Sequence, residues 1–209
     1  MFLRKPFRYT FVNATLTIVL INLAVFFVSM VSPNVKVWLS ANYVFMRDGP
    51  FHCFWQPLTY MFVHSNWSHI LFNMIALVCF GYSIEPAIGS KEFVLFYLLT
   101  GFLDGIISII VYSKFHMPVF LMGASGAIYA LLFAYAVIFP RNRIFIWGIL
   151  PIQAPVLVLL YAVIEFVSQF SMDSTAHLTH LTGFVVAWIY FVVRMGVHPM
   201  KIWKDTFSN

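Results

Sequence analysis

Charge is what this 209-residue chain has least of: 12 Lys and Arg with 7 Asp and Glu make up only 9% of it. Soluble domains carry about a quarter of their residues as charges and cover themselves with polar side chains. That shortage excludes an ordinary water-soluble globule. Cysteine is scarce as well, with two residues in all. Cys53 falls between the first two apolar blocks and Cys79 lies deep in the second, so a disulfide framework and a paired-cysteine metal site are both excluded. Low-complexity segments and internal repeats are absent too. What is present is apolarity: 62% of the residues are hydrophobic and the mean hydropathy is +0.89. The excess of bases, +5 overall with an isoelectric point near 9.3, then reads as membrane topology rather than as a nucleic-acid surface.

The few charges divide the chain into uncharged blocks, each about long enough for a hydrocarbon core that needs roughly 20 residues. Six helices are expected, over about 10–31, 66–84, 93–112, 119–139, 144–170 and 174–193. Backbone in lipid must satisfy its own hydrogen bonds, and continuous apolarity without period-two alternation excludes a barrel. Residues 32–63 hold Trp38, Tyr43, Phe45, Phe51, Phe54 and Trp55, too short to span twice and suited to the interface. A single domain over 1–209 is expected, and the first block is kept as a helix, not a cleaved signal peptide. With both termini cytoplasmic, Arg4, Lys5, Arg8, Lys91, Arg141, Arg143, Arg194, Lys201 and Lys204 face inward and only Lys36, Arg47 and Lys114 outward. That asymmetry sets the orientation.

Polar groups at membrane depth are expensive and are functional candidates by default. Helix two enters from outside near Asn66, which places Asn73 about 10 Å down at 1.5 Å per residue. His69, four residues earlier, shares its face. Ser125 in block four and His180 in block six fall at about the same depth by the same count. A hydroxyl is a weak nucleophile, and an imidazole within hydrogen-bond reach can take its proton during attack. Ser125 lies in Gly123-Ala124-Ser125-Gly126, where small residues allow close backbone approach. If the helix begins at Ser125, residues 117–124 form a loop dipping into the protein, and Ser125 sits at a helix N-terminus that favours negative charge. His69 and Asn73 can then donate to an oxyanion.

Each residue has a plainer reading. Gly-x-Ser-Gly in a membrane helix is more often a packing face, and an intramembrane Asn is more often packing glue. The shared depth of Ser125, His69, Asn73 and His180 is what favours chemistry. Tyr129, one turn after Ser125, is a core aromatic or a ring stacked on His180 that orients the imidazole where no carboxylate is available. His177 rivals His180 as the base. Glu165, near the outer end of helix five, snorkels or serves a substrate gate. Gly101 and Gly105 pack, Asp104 bonds a neighbouring helix, and Glu85 beside Gly89-Ser90 is a structural link.

These residues resemble the rhomboid family of intramembrane serine proteases, over most of the stretch from Trp55 to Ala187. The similarity rests on His64-x4-His69-x3-Asn73 in HSNWSHILFN, on Glu85 followed by Gly89-Ser90, on GASGAIYA, and on AHLTHLTG. The resemblance implies a six-helix membrane bundle and a dyad of Ser125 as nucleophile and His180 as base. It also implies an oxyanion hole from His69, Asn73 and the Ser125 backbone, with Gly123 and Tyr129 supporting the dyad. Two departures stand out. Gln56 follows Trp55 where the family often carries Arg, which bears on how the first external loop is anchored, and Ala187 replaces the second glycine of a Gly-xxx-Gly pair begun by Gly183.

The function expected on this basis is endoproteolysis of single-pass membrane proteins in a bacterial cytoplasmic membrane, with the lipid bilayer as surroundings. No cofactor, metal or nucleic-acid partner is expected. Substrate would pass between helices two and five, with Phe166 and Phe170 as a gate. The alternatives are a non-proteolytic membrane factor of the same fold and a metal- or haem-binding protein in which His64, His69, His177 and His180 converge. Against metal stands the lack of a Cys or acidic residue to complete a zinc set.

Overall fold

The computed structural model describes residues 7–48, 53–117, 119–146, 148–170 and 177–208. Arg4, Lys5, Phe51 and the first three residues of the sixth expected helix, 174–176, lie outside these. In chain order the helices are α1 (Ala14–Val31), α2 (Pro33–Leu39), α3 (Tyr43–Asp48), α4 (Gln56–Thr59), α5 (Trp67–Ile88), α6 (Ser90–Lys114), α7 (Ser125–Ile138), α8 (Ala154–Ser168), α9 (His177–Val193) and α10 (Pro199–Phe207). Strands β1 (Arg143–Ile146) and β2 (Leu150–Gln153) stand between α7 and α8. Helices α1, α5 and α6 are long and apolar enough to cross a membrane, and α7, α8 and α9 are shorter apolar helices.

Three expectations are corrected. The fifth helix does not start at residue 144, because 143–153 forms an antiparallel hairpin pairing Arg143 with Gln153 and Ile146 with Leu150. Gly148 turns it in the left-handed region at φ 71°, Pro151 cannot donate inside a helix, and Pro155 fits the first turn of α8, which therefore begins only there. The fourth helix does not start at 119 but at Ser125. Its preceding segment is held as extended chain by a bridge to Ala41, with Ala41 N donating to Leu121 O at 2.9 Å and Leu121 N to Ala41 O at 2.8 Å. The stretch 32–63 is not a plain loop but carries α2, α3, α4 and a 3₁₀ turn over Tyr60–Phe62.

Gln56 anchors that stretch from a fully buried position. Its Oε1 accepts from Asn42 N at 3.2 Å and its Nε2 donates to Trp38 O at 3.2 Å. The neighbouring Trp55 Nε1 donates to the same carbonyl at 3.0 Å. A neutral amide thus does the fastening where the resemblance implies a cation.

Helix ends are fastened across the bundle. α1 has no acidic residue in its own first turn, and Glu85 of α5 takes that place. The carboxylate accepts from Ala14 N at 2.6 Å, Thr15 N at 2.8 Å and Thr15 Oγ1 at 2.7 Å, satisfying donors that a helix N-terminus otherwise leaves orphaned. The structural link expected of Glu85 is this cap. At the start of α6, Glu92 pairs with Arg194 (2.6 and 3.0 Å) and accepts from Tyr190, tying α6 to the end of α9.

α7 is the buried centre, packed against α5, α6, α8 and α9. Its Ala127, Ala130, Ala134 and Ala136 are at most 1% exposed, and such short side chains let neighbouring helices approach. α10 packs against the C-terminal half of α7, where Trp203 Nε1 donates to Ala136 O at 3.0 Å. Large apolar side chains of the surrounding helices, among them Leu20, Phe72, Val163 and Ile189, face outward. Outward apolarity is what lipid solvates.

Candidate active site

Ser125 opens α7, and the residues around it explain why it is reachable. Gly123 stands at φ 121°, and a Cβ there would come 2.6 Å from His69 Nε2. Only glycine fits both the angle and the space. Gly123 N donates to Tyr60 O at 3.0 Å, which fixes the dip of the chain. The N-cap of α7 is Ala124, with no side-chain cap, so the helix presents its first N–H groups beside Ser125.

Close helix contact brings His180 to the serine. A Cβ on Gly183 would strike the Gly126 backbone carbonyl, so α7 and α9 meet almost backbone to backbone, and one on Gly126 would strike the Asp104 carboxyl of α6. His180 lies one turn before Gly183, and its Nε2 stands 2.9 Å from Ser125 Oγ. The Tyr129 ring stacks on the imidazole with centroids 4.3 Å apart and planes 6° apart. Asp104 does bond a neighbour, accepting from the Tyr60 hydroxyl at 2.9 Å. Gly101 and Gly105 pack against Met61 and Tyr60 of the 3₁₀ turn that precedes α5.

Glu165 is not where sequence reasoning put it. It is 5% exposed and turned inward, not snorkelling to the surface. It accepts from the Tyr129 hydroxyl, its Oε2 lies 2.5 Å from His177 Nδ1, and its Oε1 lies 3.0 Å from His180 Nδ1. That last approach is an ion-pair distance without hydrogen-bond alignment, and Nδ1 is buried with no hydrogen-bond partner among the described residues. The expectation that no carboxylate is available to His180 is therefore corrected. Linear sequence cannot reveal this, because Glu165 and His180 meet only through the packing of α8 on α9. His177 is held by Glu165, and its ring is 6.3 Å from that of His180.

Ser125, His180, His69 and Asn73 line one cavity of about 580 Å³, together with Ser65, Phe72 and Leu121. Among the described residues, Asn73 Nδ2 is buried there without a hydrogen-bond partner, a donor held ready. His69 is positioned by residues the sequence reading did not single out. Asn66 caps α5 by accepting from His69 N at 2.9 Å, and Ser65 Oγ sits 2.9 Å from His69 Nδ1. With the Ser65 backbone N–H also directed at Nδ1 from 3.5 Å, that nitrogen is the acceptor and Nε2 carries the proton.

The four histidines do not converge on one point. His64 lines a separate cavity with Phe26, Ser29 and Trp67. One cluster of metal-ligand type exists among the described residues, Glu165 with His177 and His180, whose ligand atoms lie within 4.8 Å of one another. The acidic partner missing from the sequence reading is thus present. Its oxygens already serve Tyr129 and His177, so a cation would have to displace those bonds.

Comparison with known proteins follows the same residues. A family model described as a rhomboid domain matches 52–196. RHOMBOID-like protein 2 of Arabidopsis thaliana is 31% identical over 163 residues, covering 76% of this chain and 47% of that protein. Rhomboid protease GluP of Bacillus subtilis (strain 168) is 30% identical over 129 residues, 62% of this chain and 24% of its own length. Rhomboid protease GlpG of Salmonella paratyphi A is 30% identical over 136 residues, 63% and 45% of the two chains. The chain spans about half or less of the length of these relatives. The matched domain covers most of the chain, every element from α4 to α9 lies within it, and the protein, an integral membrane protein, belongs to the rhomboid family.

Proposed function

We propose that this protein is an intramembrane serine endopeptidase that cleaves single-pass membrane proteins with Ser125 as nucleophile and His180 as base. The observation that carries the reading is the 2.9 Å approach of His180 Nε2 to Ser125 Oγ inside a cavity that also holds two donors, Asn73 and His69. Six membrane-spanning helices, both termini in the cytoplasm and one domain over 1–209 complete the proposal. The cavity then opens on the outer side of a bacterial cytoplasmic membrane.

His180 takes the Ser125 proton while Oγ bonds to the substrate carbonyl carbon and the carbonyl pair moves onto oxygen. Asn73 Nδ2, His69 Nε2 and the Ser125 backbone N–H stabilise that charge. His180 returns the proton to the leaving amine, and water from the cavity hydrolyses the acyl-enzyme by the reverse path. Tyr129 keeps the imidazole plane, and Gly123 leaves room for His69. An apolar cavity of about 470 Å³ between α5 and α8, lined by Phe72, Ala76, Phe80, Leu157 and Tyr161, reaches Asn73 and supports lateral entry of an unwound segment. Phe166 in the last turn of α8 and Phe170 just after it, both exposed with ring centroids 5.9 Å apart, are the proposed gate.

The test is cleavage of a single-pass reporter by purified protein in detergent. Wild type should cut, and Ser125→Ala should fall to background with its melting temperature retained, a loss of about 10⁴-fold or more. Equal cleavage by both would remove Ser125 from the mechanism.

A further inference from the structure

We infer that Glu165 is a positioning residue for this chemistry, the carboxylate that holds and charges the base, so that the working unit is Ser125–His180–Glu165. The inference rests on the serine-protease reading and adds to it a group from α8 that the dyad does not contain.

Three observations converge on it. Glu165 Oε1 lies 3.0 Å from His180 Nδ1, on the ring edge opposite the one that meets Ser125. Nδ1 is buried and, among the described residues, without a hydrogen-bond partner, so a nearby negative charge is its main source of stabilisation. The carboxylate is itself held on two sides, by the Tyr129 hydroxyl at Oε1 and by His177 Nδ1 at Oε2. Tyr129 therefore acts twice, stacking on the imidazole and holding the acid beside it.

The chemistry follows from charge. When Ser125 attacks, the Oγ–H bond breaks, the proton goes to His180 Nε2 and the ring becomes a cation. A carboxylate at ion-pair distance stabilises that cation, and Coulomb attraction requires no hydrogen-bond alignment. Before attack the same charge favours the tautomer with the proton on Nδ1, leaving the Nε2 lone pair facing Ser125. A gate residue, by contrast, would act on substrate entry and leave the nucleophile untouched.

The experiment separates these roles by labelling Ser125 with a small alkyl fluorophosphonate, which does not need the lateral opening. The Oγ–P bond forms, the P–F bond breaks, fluoride leaves and the serine proton passes through His180 to water. Wild type, Ser125→Ala, Glu165→Gln and Tyr129→Phe are compared in detergent, with melting temperatures and reporter kinetics alongside. Glu165→Gln keeps the size of the side chain and removes its charge. We expect its labelling rate and kcat to fall about tenfold or more with KM within about twofold. Labelling at the wild-type rate, or a raised KM with unchanged kcat, would overturn the inference and leave Glu165 as a gate. Should Glu165→Gln not fold, Tyr129→Phe decides: it keeps the stacked ring and frees the carboxylate. A labelling rate reduced several-fold supports the inference and an unchanged one overturns it. If Ser125→Ala labels like wild type, or wild type does not label at all, the serine-protease reading itself fails, whatever Glu165 does.

Discussion

His64 is 1% exposed just before α5, with its ring centroid 5.1 Å from that of His69. Burial first, and the neighbouring imidazole second, pull its pKa from the usual 6.5 down to about 3. The unfolded chain therefore takes up this proton first, at about pH 6.5, and the folded protein only near pH 3. His64 contributes its full stability above about pH 6.5 and loses it progressively as pH falls toward 3. Melting temperatures measured between pH 8 and 4 should drop on the acid side, and His64→Gln should flatten that slope. An equal slope in both proteins would assign the acid sensitivity elsewhere. The convergence of Ser125, His180, His69 and Asn73 on one cavity was legible from the sequence because helix rise converts residue count into depth. Glu165 was not, because depth says nothing about which way a residue faces on a helix whose neighbours are unknown. Ser65 was missed for a related reason: its part is to set a tautomer, which only geometry shows.

The contact of α7 with α9 is set by glycine at both Gly126 and Gly183. A methyl group on Gly183 meets the Gly126 backbone carbonyl, which has no flexible end to move aside. Gly183→Ala should separate the two helices, cost about 1–3 kcal/mol by overpacking, and withdraw His180 from Ser125. A lower melting temperature together with lost reporter cleavage would show it, whereas wild-type values for both would mean that the helices adjust at no cost. Ala187, where the family pattern has a second glycine, is fully buried and fits as it stands. Helices were legible wherever an apolar block ended in a charge or a glycine. The hairpin at 143–153 was not, since Ile144, Phe145, Ile146, Ile149, Leu150 and Ile152 read as part of the same apolar run. Its punctuation was there in Gly148, Pro151 and Pro155, the residues that stop a helix and start the next one.

For the molecule as a whole, the proposed orientation rests on the distribution of the basic residues. With both ends cytoplasmic as proposed, the end of α6 faces outward and the turn before β1 faces inward. In a background with Cys53 and Cys79 changed to Ser, Ser113→Cys should react with a membrane-impermeant maleimide in intact cells. Asn142→Cys should react only after the membrane is opened. The reverse pattern would turn the protein over and place the Ser125 cavity on the inner side. The carboxylate of Glu165 rides on α8, while the serine, the stacked ring and both histidines it meets belong to α7 and α9. Any outward swing of α8 that widens the passage beside α5 also carries the negative charge away from His180. On the proposed function, admission and readiness would then exclude each other in time: the centre would be least reactive while a segment slides in and competent only once α8 has closed behind it. A passing helix that does not let α8 close would then never meet an armed serine.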